Sequence, residues 1–110
     1  MTTEVLKTLG QVVPSPTTLT ALYTVPGATQ ASVSSIIVCN QGAVQALFRI
    51  SIAVAGAADD PKQYTYYDIP LPANDTFIAT IGVSLGAADV VRCYSSVASV
   101  SFQAFGAELS

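Results

Sequence analysis

The sequence predicts an all-β fold, a single antiparallel β-sandwich of about eight strands, jelly-roll-like, with an immunoglobulin-like sandwich as second choice. Three observations predict it. Apolar and polar residues alternate with period two along most of the chain. Gly, Pro, Asn and Asp break that alternation at a spacing of roughly 10–12 residues, as in sandwiches and small barrels. No window holds a helical period. The one helix-like stretch, Gly82 to Val90, is too short and is interrupted by glycine.

The elements run in order. Glu4 to Leu9 is a short strand ended by Gly10, and Val12 to Pro16 is a proline-broken connection. Residues 1–17 thus read as an N-terminal arm or edge strand of one domain spanning 1–110. Thr18 to Val25 alternates, with Leu19, Ala21, Tyr23 and Val25 on one face, and Pro26-Gly27 turns the chain. Ala31 to Asn40 is β-branched, as expected of a strand buried on both faces near its end. Ala46 to Ala55 places Phe48, Ile50, Ile52 and Val54 inward and Arg49 and Ser51 outward. Gly56 to Lys62 is the most polar loop.

The stretch from Tyr64 to Val83 reads as a hairpin. Tyr64, Tyr66 and Asp68 point one way and Thr65, Tyr67 and Ile69 the other. Pro70 and Pro72 stop the ladder, because proline has no amide hydrogen to donate. Asn74 and Asp75 supply turn chemistry. Phe77, Ala79, Ile81 and Val83 then share one face. A weaker copy lies upstream, where Tyr23-Thr24-Val25-Pro26 resembles Tyr67-Asp68-Ile69-Pro70; it marks either two similar hairpins or coincidence. Val90 to Ser96 sets Val91 and Cys93 against Arg92 and Tyr94, and Ser99 to Leu109 closes the chain with Val100 and Phe102 on one face.

Composition narrows the function. The chain is 51% hydrophobic and 10% charged, against about 25% charged in an average soluble domain. Its surface is therefore covered by Ser, Thr, Gln, Asn, Ala and Gly, as expected of a subunit packed against neighbours. No apolar run approaches the roughly 20 residues of a membrane span, so no membrane partner is expected. The four bases, Lys7, Arg49, Lys62 and Arg92, are scattered and outnumbered by seven acids. Phosphate neutralisation needs several cations on one face, so no nucleic-acid partner is expected. The start, MTTEVLKTLG, has no basic segment followed by a long apolar one, which points to synthesis and use inside a cell or release by lysis.

Chemistry-bearing patterns are missing. Histidine is absent, which excludes triads with an imidazole base and most zinc sites. Cys39 and Cys93 lack metal-ligand spacing and read as buried free thiols, with a disulfide between them left open by the sequence. Asp59 and Asp60 read as a solvated loop, and Asp68, Asp75 and Asp89 as turn caps. No glycine-rich phosphate loop joins a strand to a helix. No enzyme, cofactor or metal is expected. The only aromatic cluster is Tyr64, Tyr66 and Tyr67. Tyr64 and Tyr66, sharing a face, are the candidate interface residues, since tyrosine is enriched at protein and carbohydrate contacts.

Several segments carry a family resemblance: LKTLGQVVPSPTTLTALYTVPGATQASVSSIIVCNQG, YDIPLPANDTFIATIGVSLGAADVVRCYSS and VSFQAFGAELS. Within them stand Leu9-Gly10-Gln11, Leu22-Tyr23-Thr24-Val25-Pro26, Ile37-Val38-Cys39-Asn40, Ala73-Asn74-Asp75-Thr76 and Ala88-Asp89-Val90-Val91. Nearly the whole chain resembles small β-sandwich structural proteins of tailed bacteriophages. The resemblance implies a capsid decoration (cement) protein located in the virion and made in the bacterial host cytoplasm. It implies the major capsid protein as partner, together with further copies of the chain as a dimer or trimer. It brings no catalytic residues. The alternative is a tail, baseplate or fibre component with an adhesion or receptor-binding role. The resemblance departs from some cement proteins in that no long disordered N-terminal arm is expected here, which leaves the mode of attachment open.

Overall fold

The chain folds as one long hairpin rolled on itself. The structure, a computed structural model, describes residues 3–110. Its strands are β1 (Glu4–Val12), β2 (Thr20–Thr24), β3 (Gln30–Asn40), β4 (Ala46–Ala53), β5 (Tyr64–Leu71), β6 (Thr76–Leu85), β7 (Val90–Ser95) and β8 (Val100–Leu109). The first four pair antiparallel with the last four in reverse order: β1 with β8, β2 with β7, β3 with β6 and β4 with β5. Added pairings of β3 with β8 and β4 with β7 close two sheets. Sheet I has the order β1-β8-β3-β6 and sheet II the order β2-β7-β4-β5. That order is a jelly roll, and the expected all-β sandwich of eight strands is observed.

The core lies between the sheets. Phe48, Ile50 and Cys93 of sheet II meet Val33, Ile36, Val38, Phe102 and Ala104 of sheet I. Phe48 is the hub, with ring centroids 5.3 Å from Phe77, 6.2 Å from Phe102 and 6.4 Å from Tyr66. Phe77, Ile81 and Val83 pack against this cluster and Ala79 lies inside it, so the β6 alternation holds. It holds across a bulge at Gly82, whose φ of 54° suits glycine.

Two polar groups tie the ends. Asn40 is buried, its Nδ2 reaching the carbonyls of Val44, Leu71 and Pro72 while its Oδ1 accepts from Gly42 N and Ser99 Oγ. It thereby joins three connections at one end of the sandwich. At the other end Tyr23 of sheet II donates to Glu108 of sheet I, and Lys7 donates to the same carboxylate at 3.0 Å. These hydrogen bonds, Tyr23 first and then Lys7, hold the Glu108 carboxyl below its ordinary range. Burial and then Glu108 push the Tyr23 hydroxyl well above its own.

Several local expectations need correction. Residues Glu4–Val12 form a longer strand than expected and pair with β8 along the edge of sheet I; Met1 and Thr2 of the expected arm lie outside the described residues. Strand β4 stops at Ala53. Val54 begins a 3₁₀ turn, Val54–Gly56, and is 69% exposed rather than inward. Strand β5 continues through Pro70 to Leu71. It can do so because β5 is an edge strand of sheet II, where the missing amide hydrogen costs no ladder bond. The two similar tetrapeptides are not equivalent: one ends β2 with Tyr23 buried, the other lies inside β5 with Tyr67 exposed. Ile37 and Cys39 at the end of β3 are only half-buried, because no described residues cover the outer face of sheet I. Cys39 and Cys93 are both free thiols. Cys93 lies in the core, where burial pushes its pKa up to about 12.

Candidate interaction surfaces

The outer faces of the two sheets differ in chemistry. On sheet II two irregularities in β5 set the pattern. Phe48 pairs with Ile69 and Ile50 with Tyr66, so Tyr67 and Asp68 together face Arg49. Ile50 pairs with Tyr66 but Ser51 with Tyr64, which leaves Thr65 as a second extra residue. Each extra residue turns the next part of the strand to the opposite face. The candidate pair Tyr64 and Tyr66 is therefore split. Tyr66 turns into the core against Phe48 and Phe77, and Tyr64 stays outside with Tyr67, edge to face at 5.0 Å. Asp68 is no turn cap. It sits inside β5 with φ 52°, held by Arg49 Nε at 2.6 Å and Nη2 at 3.3 Å.

Arg49 is enclosed on the outer face. Its guanidinium lies 4.2 Å from the Tyr67 ring centroid and 4.3 Å from that of Tyr94, a cation–π sandwich closed by Asp68. The hydrogen bond to Asp68 pushes its pKa further up. The pair stays partly open to solvent, and screening holds its contribution to about 0–1 kcal/mol. It does fix the Tyr67 ring.

The β4–β5 connection folds beside these rings. Arg92 donates to Ala57 O and Gly56 O, at 2.9 and 3.2 Å, and Asp89 Oδ1 accepts from Ala55 N at 2.8 Å. Asp60 caps the turn Pro61–Gln63 by accepting from Lys62 N, and the Gln63 amide donates to Ala58 O at 2.8 Å. Ser51, outward by register, is buried here. Asp59, Asp60, Pro61, Tyr64 and Tyr67 line a cleft of about 480 Å³. Burial, and then Asp59, push the Tyr64 hydroxyl above its ordinary range. Asp75 and Asp89 do cap turns, through Thr76 N and Gly86 N. Among the described residues no three metal-ligating side chains converge.

Sheet I presents a different surface. Its register turns Leu6, Thr8, Ser32, Ile37, Ile78, Thr80, Ser84, Gln103, Phe105 and Ala107 outward. Leu6 is 81% exposed and Ile78 62%. Among the described residues the one charged side chain on this face is Glu4, at its end. Shallow hollows open where small residues meet, one between Glu4, Ser32, Ser84 and Ala107 and another between Leu6, Ser34 and Phe105.

Sequence reasoning reached Tyr64, and placed Arg49 and Tyr94 outward from simple alternation. It missed Tyr67 and Asp68, because no local signal marks the two irregularities in β5. The nearly uncharged face of sheet I was legible only as low overall charge.

No protein-family model matches the chain, and no curated protein matches it. Solved structures do. A chain in a structure of the Gx strain of infectious bursal disease virus aligns over 99% of this chain and 31% of its own length, with 11% identity and a TM-score of 0.56. A crystal structure of the T13 particle of the same virus gives 98%, 30%, 10% identity and 0.58. A pentameric capsid protein from metagenomic phage sequences aligns over 96% of this chain and 63% of its own at 15% identity, but its TM-score of 0.33 carries no weight. The protein spans about a third of the length of the two viral chains. At this identity the likeness is one of fold: the chain is an eight-stranded antiparallel β-sandwich of the kind found in a virus particle.

Proposed function

We propose that the protein is a structural component of a bacteriophage virion, made in the host cytoplasm, that decorates the outer surface of the assembled head. The observation that carries this reading is the outer face of sheet I, a four-stranded surface of Ser, Thr, Gln and apolar residues with one charge at its end. A face of this kind has little to lose on leaving water and suits packing against a neighbour, here the major capsid protein. The sequence resemblance and the fold likeness to chains of a virus particle support the same reading.

The mechanism is thermodynamic. Four strands spaced about 4.8 Å apart and about nine residues long at about 3.3 Å each offer roughly 600 Å². A standard stable interface takes about 800 Å² per partner. One face thus binds modestly. A dimer or trimer that touches neighbouring capsomers gains through effective concentration. Binding only the assembled shell then stabilises that shell by mass action. A second reading, a tail, baseplate or fibre component with an adhesion role, is favoured by one observation, the aromatic and acidic cleft beside sheet II.

Immunogold electron microscopy on phage from the producing lysate tests both. Label over the head is the expected result, and label at the tail tip or no label refutes it. In co-sedimentation with undecorated heads, Ile78→Glu is expected to abolish binding without changing the melting temperature. Binding equal to the wild type would remove sheet I as the docking face.

A further inference from the structure

The cleft on the opposite side of the sandwich has a chemistry of its own. Tyr67 is 55% exposed and offers a ring held in place by Arg49. Asp59 and Asp60 line the same cleft, with Pro61 and Tyr64 completing the lining. Two carboxylates and no cation line the cleft, which disfavours an anion. Neither arginine is free for an anion. Arg49 is enclosed by two rings and a carboxylate, and Arg92 donates to two loop carbonyls. What remains is an aromatic face beside carboxylate oxygens with lone pairs to spare, since the one side-chain hydrogen bond formed by Asp60 uses one oxygen. That combination matches a neutral ligand with one apolar face and a rim of hydroxyls. A pyranose ring has both. The loop is already pinned by Arg92, Asp89 and Gln63, so little ordering cost remains on binding.

We propose that the cleft formed by Asp59, Asp60, Pro61, Tyr64 and Tyr67 is a binding site for neutral saccharides, with a sugar ring stacked on Tyr67 and its hydroxyls donating to Asp59 and Asp60. The site lies on sheet II and its loop, away from the face assigned to docking, and does not depend on where in a virion the protein sits. The test is a microarray of neutral, sialylated and sulfated glycans probed with the whole chain, followed by titration of the free oligosaccharide of the strongest neutral hit. Binding to neutral glycans is expected, weakened more than about tenfold by Tyr67→Ala and by Asp60→Asn. Tyr67→Phe and Ile78→Glu are expected to bind as the wild type. Tyr67 and Asp60 are exposed, so these variants should stay folded, with melting temperatures within about 5 °C of the wild type. No neutral glycan bound, binding confined to charged glycans, or a loss smaller than about tenfold in both Tyr67→Ala and Asp60→Asn would overturn the assignment.

Discussion

Replacing Phe48 by alanine removes the ring on which the two sheets meet. Phe48 is fully buried and stands within 6.4 Å, centroid to centroid, of Phe77, Phe102 and Tyr66. Two terms set the cost. Losing the transfer free energy of a buried phenyl group takes about 2.5 kcal/mol. The cavity adds about 24 cal/mol per Å³, and half of a vacated volume of about 100 Å³ persisting adds roughly 1.2 kcal/mol. The sum, about 4 kcal/mol, lies within the usual range for Phe→Ala. For a chain of 110 residues this lowers the melting temperature by about 17 °C, since about 2.1 cal/mol/K per residue sets the slope. Urea denaturation followed by circular dichroism measures it, with the slope checked against the wild type so that only stability has changed. Ile78→Ala, on the open face of sheet I, is the control and should stay within about 0.5 kcal/mol. A loss below about 1 kcal/mol at Phe48, or one equal to the control, would refute the placement of the core.

Two further outcomes are expected. Glu108 accepts from Tyr23 and Lys7, which holds its folded-state pKa below the unfolded value. Its stabilising contribution is therefore present above the ordinary carboxylate value of about 4.3 and is lost as pH falls through the folded one. The melting-temperature gap between wild type and Glu108→Gln should be open at neutral pH and close in acid; a gap that widens in acid would contradict the geometry. Burial keeps the Cys93 thiol, with a pKa of about 12, from forming thiolate at ordinary pH, while Cys39 is half-buried on the outer face. A thiol-labelling reagent followed by mass spectrometry should modify Cys39 in the native protein and Cys93 only after unfolding, and a reductant should leave the melting temperature unchanged. Two rapid labels, or a fall of several degrees with reductant, would contradict this.

Fold class and strand number were legible in the residues alone. Period-two alternation is a local property, so Phe77, Ala79 and Val83 could be assigned to one face from spacing. Turn residues are local too, which is why Asp75 and Asp89 were recognisable as caps. Features that depend on a partner strand emerged only in the folded chain. Whether Tyr66 or Tyr67 joins Tyr64 outside rests on extra residues in β5 opposite Arg49 and Ser51, and a bulge is defined only by the strand it faces. Pro70 stays within a strand because β5 is at an edge, a position in the sheet order rather than in the chain. The sandwiching of Arg49 brings together Tyr67 and Tyr94 from strands on either side of β4, and the cleft needs a loop folded back by Arg92. The open, nearly uncharged face of sheet I likewise exists only once register has sorted the few charges away from it, because composition counts charges and only pairing places them.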